Sequence, residues 1–129
     1  MTRDSKILID SHILIWLLYE PEKITAKARE LIQTAAVVYL SAVSLWELTL
    51  KFSKDKLAYS PAELVEGVQV LNLERLPLRD EHILAILGVQ LTHKDPFDVL
   101  LVAQSQTEDC ILLTADSNIL DSKYRTVQC

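Results

Sequence analysis

The chain has 129 residues, about the size of one ordinary domain; half of them are hydrophobic, its formal charge is −5 and it holds only 2 glycines. These figures exclude a linker, a disordered tail and a low-complexity tract. They also exclude a broadly basic surface, so any contact with a phosphate backbone must be local, and Lys51, Lys54 and Lys56 form the densest basic stretch that could supply it.

Residues 1–129 are therefore expected to form a single domain around one core. The opening MTRDSK lacks the basic and then apolar order of a signal peptide. The apolar run from Ile7 to Tyr19 is broken by Asp10, Ser11 and His12, and is too short to cross a bilayer. Cys110 and Cys129 fit neither a metal spacing nor a disulfide framework. A reduced, cytoplasmic protein without membrane association is the expectation.

In chain order, Lys6 to Asp10 (KILID) reads as a short buried strand and Ile13 to Tyr19 as a helix. Thr25 opens a second helix to about Ala35, and Val37 to Leu40 (VVYL) is rich in β-formers. Ser44 to Ser53 returns to helical spacing. Ser60-Pro61-Ala62-Glu63 combines an N-cap serine, a proline at the first helical position and a glutamate at the third, a helix start. Leu73 to Leu78 is a weaker strand, and Asp80 or Glu81 opens a helix to about Leu87. Asp95-Pro96-Phe97-Asp98 starts a further helix; Ile111 to Thr114 (ILLT) is a buried strand and Thr126 to Gln128 a last edge strand.

Short apolar strands separated by helices argue for a parallel sheet covered on both faces, a three-layer α/β/α domain with a central, mainly parallel sheet. Open sheets of this kind place their chemistry beyond the carboxyl ends of the strands. Asp10 ends the first strand, Asp116 follows ILLT by two residues, Glu47 lies early in the helix after VVYLS, and Asp98 lies in the first turn of the helix before ILLT.

Each acid also has an ordinary explanation. Asp10 can cap the helix after it, Ser44-Leu45-Trp46-Glu47 matches a capping box, Glu47 can pair with Lys51, and Asp116-Ser117-Asn118 can close a turn. Asp95 and Asp98 can both favour a helix start. Phe97 to Ala103 is apolar nearly all round, however, so Asp95 suits the cap and Asp98 is expected to face a ligand. Carboxylates meeting at one edge repel one another unless a cation offsets them, and an all-oxygen site suits Mg²⁺ or Mn²⁺. The hydroxyls of Ser11 and Thr114 can orient water around such an ion, or simply bond nearby backbone. His12, His82 and His93 show no zinc spacing, and there is no phosphate-cradling glycine loop, G-x-S-x-G elbow or H-E-x-x-H helix.

The blocks ILIDSHILIWLL, SAVSLWELTLK, DPFDVLLVAQS and LLTADSNI resemble, in order and approximate spacing, those of PIN-domain ribonucleases, in particular the VapC-type toxins of prokaryotic toxin-antitoxin pairs. The resemblance covers nearly the whole chain. It implies an α/β/α fold and Mg²⁺- or Mn²⁺-dependent endoribonuclease activity on single-stranded or looped RNA. It makes Asp10, Glu47, Asp98 and Asp116 the catalytic, metal-holding acids, and matches Thr114 to the hydroxyl residue before the last acid. Ser11 stands where many relatives have threonine, and Asp55 where a glycine is often seen. A homodimer and a small cognate antitoxin are implied as well, with a groove around Trp16 and Trp46 as a docking place or, alternatively, these tryptophans in the core. The rival is a catalytically inactive PIN-like protein-binding module. A response-regulator receiver needs an acid pair after the first strand and a late lysine, and a haloacid-dehalogenase-type phosphatase needs D-x-D where this chain has Asp10-Ser11-His12.

Overall fold

The computed structural model describes residues 5–92, 95–120, 122 and 124–129. Strands β1 (Lys6–Ile9), β2 (Val37–Ser41), β3 (Glu74–Leu76), β4 (Ile111–Thr114) and β5 (Thr126–Gln128) form one sheet of order β3-β2-β1-β4-β5. Every pairing in it is parallel. Around the sheet lie α1 (Ser11–Tyr19), α2 (Ala26–Thr34), α3 (Ala42–Ser53), α4 (Pro61–Val70), α5 (Asp80–Ala85), α6 (Pro96–Thr107) and the short α7 (Ser117–Leu120). No helix among the described residues is long and apolar enough to cross a membrane.

The central strand explains the layering. Ile7, Leu8 and Ile9 of β1 are all fully buried, which requires cover on both faces. Side chains alternate along a strand. Ile7 and Ile9 join Ile111 and Leu113 in a core with Ile13 and Leu14 of α1 and Leu64 of α4. Leu8 and Leu112 turn the other way, onto Leu101 and Val102 of α6 and Ile119 of α7. The result is the three-layer α/β/α arrangement that the sequence predicts, with a wholly parallel sheet among the described strands.

The chain steps outward from β1 to β2 and β3, then crosses back to β4 on the other side of β1. The strand order therefore reverses between β1 and β4, where an α/β sheet opens a crevice at its carboxyl edge. Asp10 stands there, and its N–H continues the β1–β4 ladder by donating to the Leu113 carbonyl (3.0 Å).

Boundaries differ from the sequence reading in instructive ways. Helix α1 starts at Ser11, two residues before Ile13, because Asp10 caps it. Helix α5 ends at Ala85 and passes into a 3-10 turn over Ile86–Gly88. The predicted capping box at Ser60 is present.

Gly67, on the buried face of α4, lets that helix approach α1: a Cβ there would lie 2.6 Å from Leu18 Cδ1 and 2.7 Å from Cδ2, whereas one on Gly88 would meet nothing within 4 Å. Gly67→Ala is expected to lose about 1 kcal/mol, the overpacking outweighing the gain in helix propensity, while Gly88→Ala is neutral or slightly stabilising. Chemical denaturation of the two variants checks this; equal stability of both would contradict it.

Candidate active site

Asp10 and Thr114 end the two strands that flank the crevice. Asp10 is 5% exposed, and its carboxylate is held twice: Oδ1 accepts the Ser11 N–H at 2.6 Å and Oδ2 accepts the hydroxyl of fully buried Thr114 at 2.7 Å. Burial pushes the Asp10 carboxyl above its usual 3.8; the bonds from Thr114 and Ser11 oppose that rise, the charge of Glu47 adds to it, and His12 offsets it slightly. Thr114 also accepts the Asp116 N–H at 3.0 Å. Asp116 in turn accepts the Ile119 N–H through Oδ1 at 3.4 Å, so it caps the short α7 as well as flanking the crevice.

Thr114 thus ties two of the acids together, and Thr114→Val removes that tie with little change of shape. Asp10 then lacks one donor to its charged form. A stability loss of about 1–3 kcal/mol near neutral pH is expected, shrinking as acid protonates Asp10. Thermal unfolding over a range of pH reads this; a loss independent of pH would point to packing and the lost Asp116 bond alone.

Glu47 arrives by a route the sequence conceals. The N-cap of α3 is Ser41, whose hydroxyl accepts the Val43 N–H at 2.9 Å and donates to Gln104 Oε1. The capping box that Ser44-Leu45-Trp46-Glu47 matches does not form: Ser44 lies inside the helix, its hydroxyl buried and without a hydrogen-bond partner among the described residues. Glu47 is consequently free to turn to the crevice. Its Oε1 accepts the hydroxyl of buried Ser11 at 2.6 Å, and its Oε2 lies 3.5 Å from Lys51 Nζ. Ser11 therefore bridges the acids, bonding Asp10 with its backbone and Glu47 with its side chain.

Helix α6 delivers Asp98, and Asp95 takes the capping role that the sequence gives it. Asp95 is the N-cap, its Oδ1 accepting the Phe97 and Asp98 N–H groups at 2.8 and 3.3 Å, with Pro96 at the first helical position. The half-buried Asp98 has its carboxyl pushed up from 3.8 to about 7, first by burial and then by the like charges of Asp95, Asp10, Asp116 and Glu47. Acids separated by as much as 106 positions in the chain thus act on one group in a shared field.

This set is an all-oxygen cluster of excess negative charge, the donor chemistry that suits Mg²⁺ or Mn²⁺. A tighter trio among the described residues lies elsewhere: ligand atoms of Glu81, His82 and Glu108 all fall within 4.8 Å of one another. Hydrogen bonds tie two of its three members together. His82 is fully buried, its Nε2 lies 2.8 Å from Glu108 Oε2, and its Nδ1 accepts the Arg79 N–H at 3.0 Å, a polar network within the core.

Sequence reasoning missed this network, whose partners lie 26 residues apart. It left the tryptophans between a surface groove and the core. Trp16 is half-buried, but Trp46 is 50% exposed and packs edge-on to Phe97, with ring centroids 4.9 Å apart. His93 lies outside the described residues.

The fold and the crevice define a parallel α/β/α domain with an acidic cleft at its topological switch point. The chain belongs to the PIN domain family, whose model matches residues 7–124. No curated protein matches it by sequence. In fold it is similar to a chain of VapBC2 from Rickettsia felis, solved bound to a DNA fragment from the promoter, at 12% identity and a TM-score of 0.68 over 95% of this chain and 98% of that one. A DNA-bound VapBC chain from Salmonella typhimurium gives 15% identity and a TM-score of 0.67, covering 96% and 98%. For VapBC-5 of Mycobacterium tuberculosis, a member of the VapBC family of toxin-antitoxin systems, the values are 15%, 0.60, 96% and 97%.

Proposed function

We propose that this chain is a divalent-metal-dependent endoribonuclease, with Asp10, Glu47, Asp98 and Asp116 as its catalytic acids, and that it serves as the toxin of a type II toxin-antitoxin system. The observation that carries the reading is the convergence of Asp10, Glu47 and Asp116 on the β1–β4 switch point, linked through Ser11 and Thr114, with Asp98 in their shared field. The same four would hold Mg²⁺ or Mn²⁺, which supplies an activated water and offsets charge on a phosphoryl oxygen.

The chain's own residues do the rest. Ser11 and Thr114 fix the directions of Asp10 and Glu47, so little reorganisation is needed when substrate arrives. Lys51 steadies the outer oxygen of Glu47. A carboxylate oxygen turned away from the cation would accept the proton of the attacking water as the P–O bond to the leaving strand breaks, so no nucleophilic side chain is required. An antitoxin partner is supported by the VapBC assemblies that share the fold. A homodimer and a cytoplasmic location complete the proposal.

Purified chain, freed of any partner, incubated with single-stranded and looped RNAs tests the reading. Endonucleolytic products are expected with Mg²⁺ or Mn²⁺ and none with a chelator. Inactivity across varied RNAs in both metals would favour the rival, a PIN-like module that binds protein without turnover.

A further inference from the structure

Beside the acidic crevice, at the C-terminal end of α3, lies a surface pocket of about 230 Å³ with Lys51, Lys54, Lys56, Leu50 and Phe97 among its walls. Glu47 and Asp95 also line it, so the pocket adjoins the acidic crevice. The turn after α3 brings the lysines together. Asp55 adopts a left-handed conformation (φ 57°), the Lys56 N–H donates to the Lys51 carbonyl (2.8 Å) and the Asp55 N–H to the Phe52 carbonyl (3.1 Å). This closing motif folds Lys54 and Lys56 back over the helix end although Asp55 is not glycine. Both are exposed, and among the described residues no carboxylate pairs with either. In a chain of net charge −5, three cations around one pocket outnumber its two acids, Glu47 and Asp95, and with Lys51 held by Glu47 it is Lys54 and Lys56 that supply the local positive charge. Phe97, one of its walls, carries the half-exposed Trp46 edge-on.

We propose that this pocket and the Trp46–Phe97 ridge are the track for the single-stranded RNA entering or leaving the crevice, with Lys54 and Lys56 on successive phosphates and Trp46 beneath a base. In this role, which rests on the nuclease reading above, the surface matches both repeating features of the strand, charged phosphates and flat bases. A purely acidic peptide would use the lysines but offer no flat group to the exposed ring. Lys51, already held at Glu47, sits at the junction.

The test is the anisotropy of a labelled single-stranded oligoribonucleotide with the full chain carrying Asp98→Asn, in Mg²⁺ and over a range of salt. Adding Lys54→Gln with Lys56→Gln is expected to flatten the slope of log affinity against log salt by about 1 to 1.5, at roughly 0.7 for each phosphate no longer neutralised. Trp46→Ala is expected to weaken binding roughly 5- to 100-fold. In the active background, KM should rise with kcat nearly unchanged. Affinity, slope and KM unaltered while metal-dependent cleavage persists would overturn the track and leave the nuclease reading standing. Weakened binding by a chain that cuts no RNA would uphold the track and remove the nuclease. If Trp46→Ala changes the sedimentation of the chain but not its affinity for RNA, the ridge is an interface between copies and the proposal fails.

Discussion

Asp98→Asn is expected to lower metal-dependent RNA cleavage by roughly 10³-fold or more. A carboxylate that helps hold the cation contributes through it several kcal/mol of charge stabilisation in the transition state, and each ~1.4 kcal/mol is a factor of ten. The substitution keeps the shape of the side chain, and the cap of α6 is untouched because it belongs to Asp95. Asp95→Asn is the matched control. Asparagine caps a helix about as well as aspartate, so that variant should stay within a few-fold of the parent. Rates at saturating Mg²⁺ for both variants decide the matter. Equal losses would mean that the charge of the whole helix start matters and not the position of Asp98.

In chelator, the folded chain is expected to become less stable as pH rises from about 4 to 7, and Asp98→Asn is expected to remove most of that dependence. Asp98 has a folded-state value of about 7 against an ordinary 3.8, raised by burial and then by its acidic neighbours. Between these values the folded state binds the proton that the unfolded chain has already lost, so the stabilisation is full below the lower value and is lost as pH passes the higher one. Buried Asp10, also raised, acts in the same direction. After allowance for solvent around a half-buried group, the effect of Asp98 is on the order of 2 kcal/mol, or roughly 5–8 °C in Tm for a domain of this size. Thermal scans at pH 4.5, 6 and 8 measure it. Added Mn²⁺ or Mg²⁺ should restore stability at high pH, because a cation replaces the proton. A parent chain whose stability rises across this range would contradict the shared field at Asp98.

Much of this was legible because single residues carried unambiguous signals. KILI and ILLT each hold three consecutive apolar residues, the pattern of strands covered on both faces, and they are the two strands that flank the switch point. Pro96 fixes where α6 begins and so separates the capping Asp95 from Asp98. The start of α3 was less legible because Ser41 ends β2 and caps α3 at once, leaving Ser44 to mimic the cap from inside the helix. Nor could periodicity orient α3, since AVSLWELTLKFS is apolar on several sides and Trp46 could be placed only by its neighbours. Strand β3 is weak in sequence because it is a three-residue edge with Glu74 and Arg75 exposed. The bridge from Ser11 to Glu47 spans 36 residues and the burial of His82 depends on Glu108, contacts between distant elements that local patterns do not encode.

The measurement that bears most directly on the joint grip of the acids is a Mn²⁺ titration of the full chain followed by electron paramagnetic resonance, in the parent, Asp10→Asn, Asp98→Asn and Glu108→Gln forms. Binding to the parent and to Glu108→Gln, with marked weakening in both aspartate variants, is the expected result. Binding that is undiminished by either aspartate change, or that disappears with Glu108, would place the cation at the Glu81–His82–Glu108 trio and contradict the account.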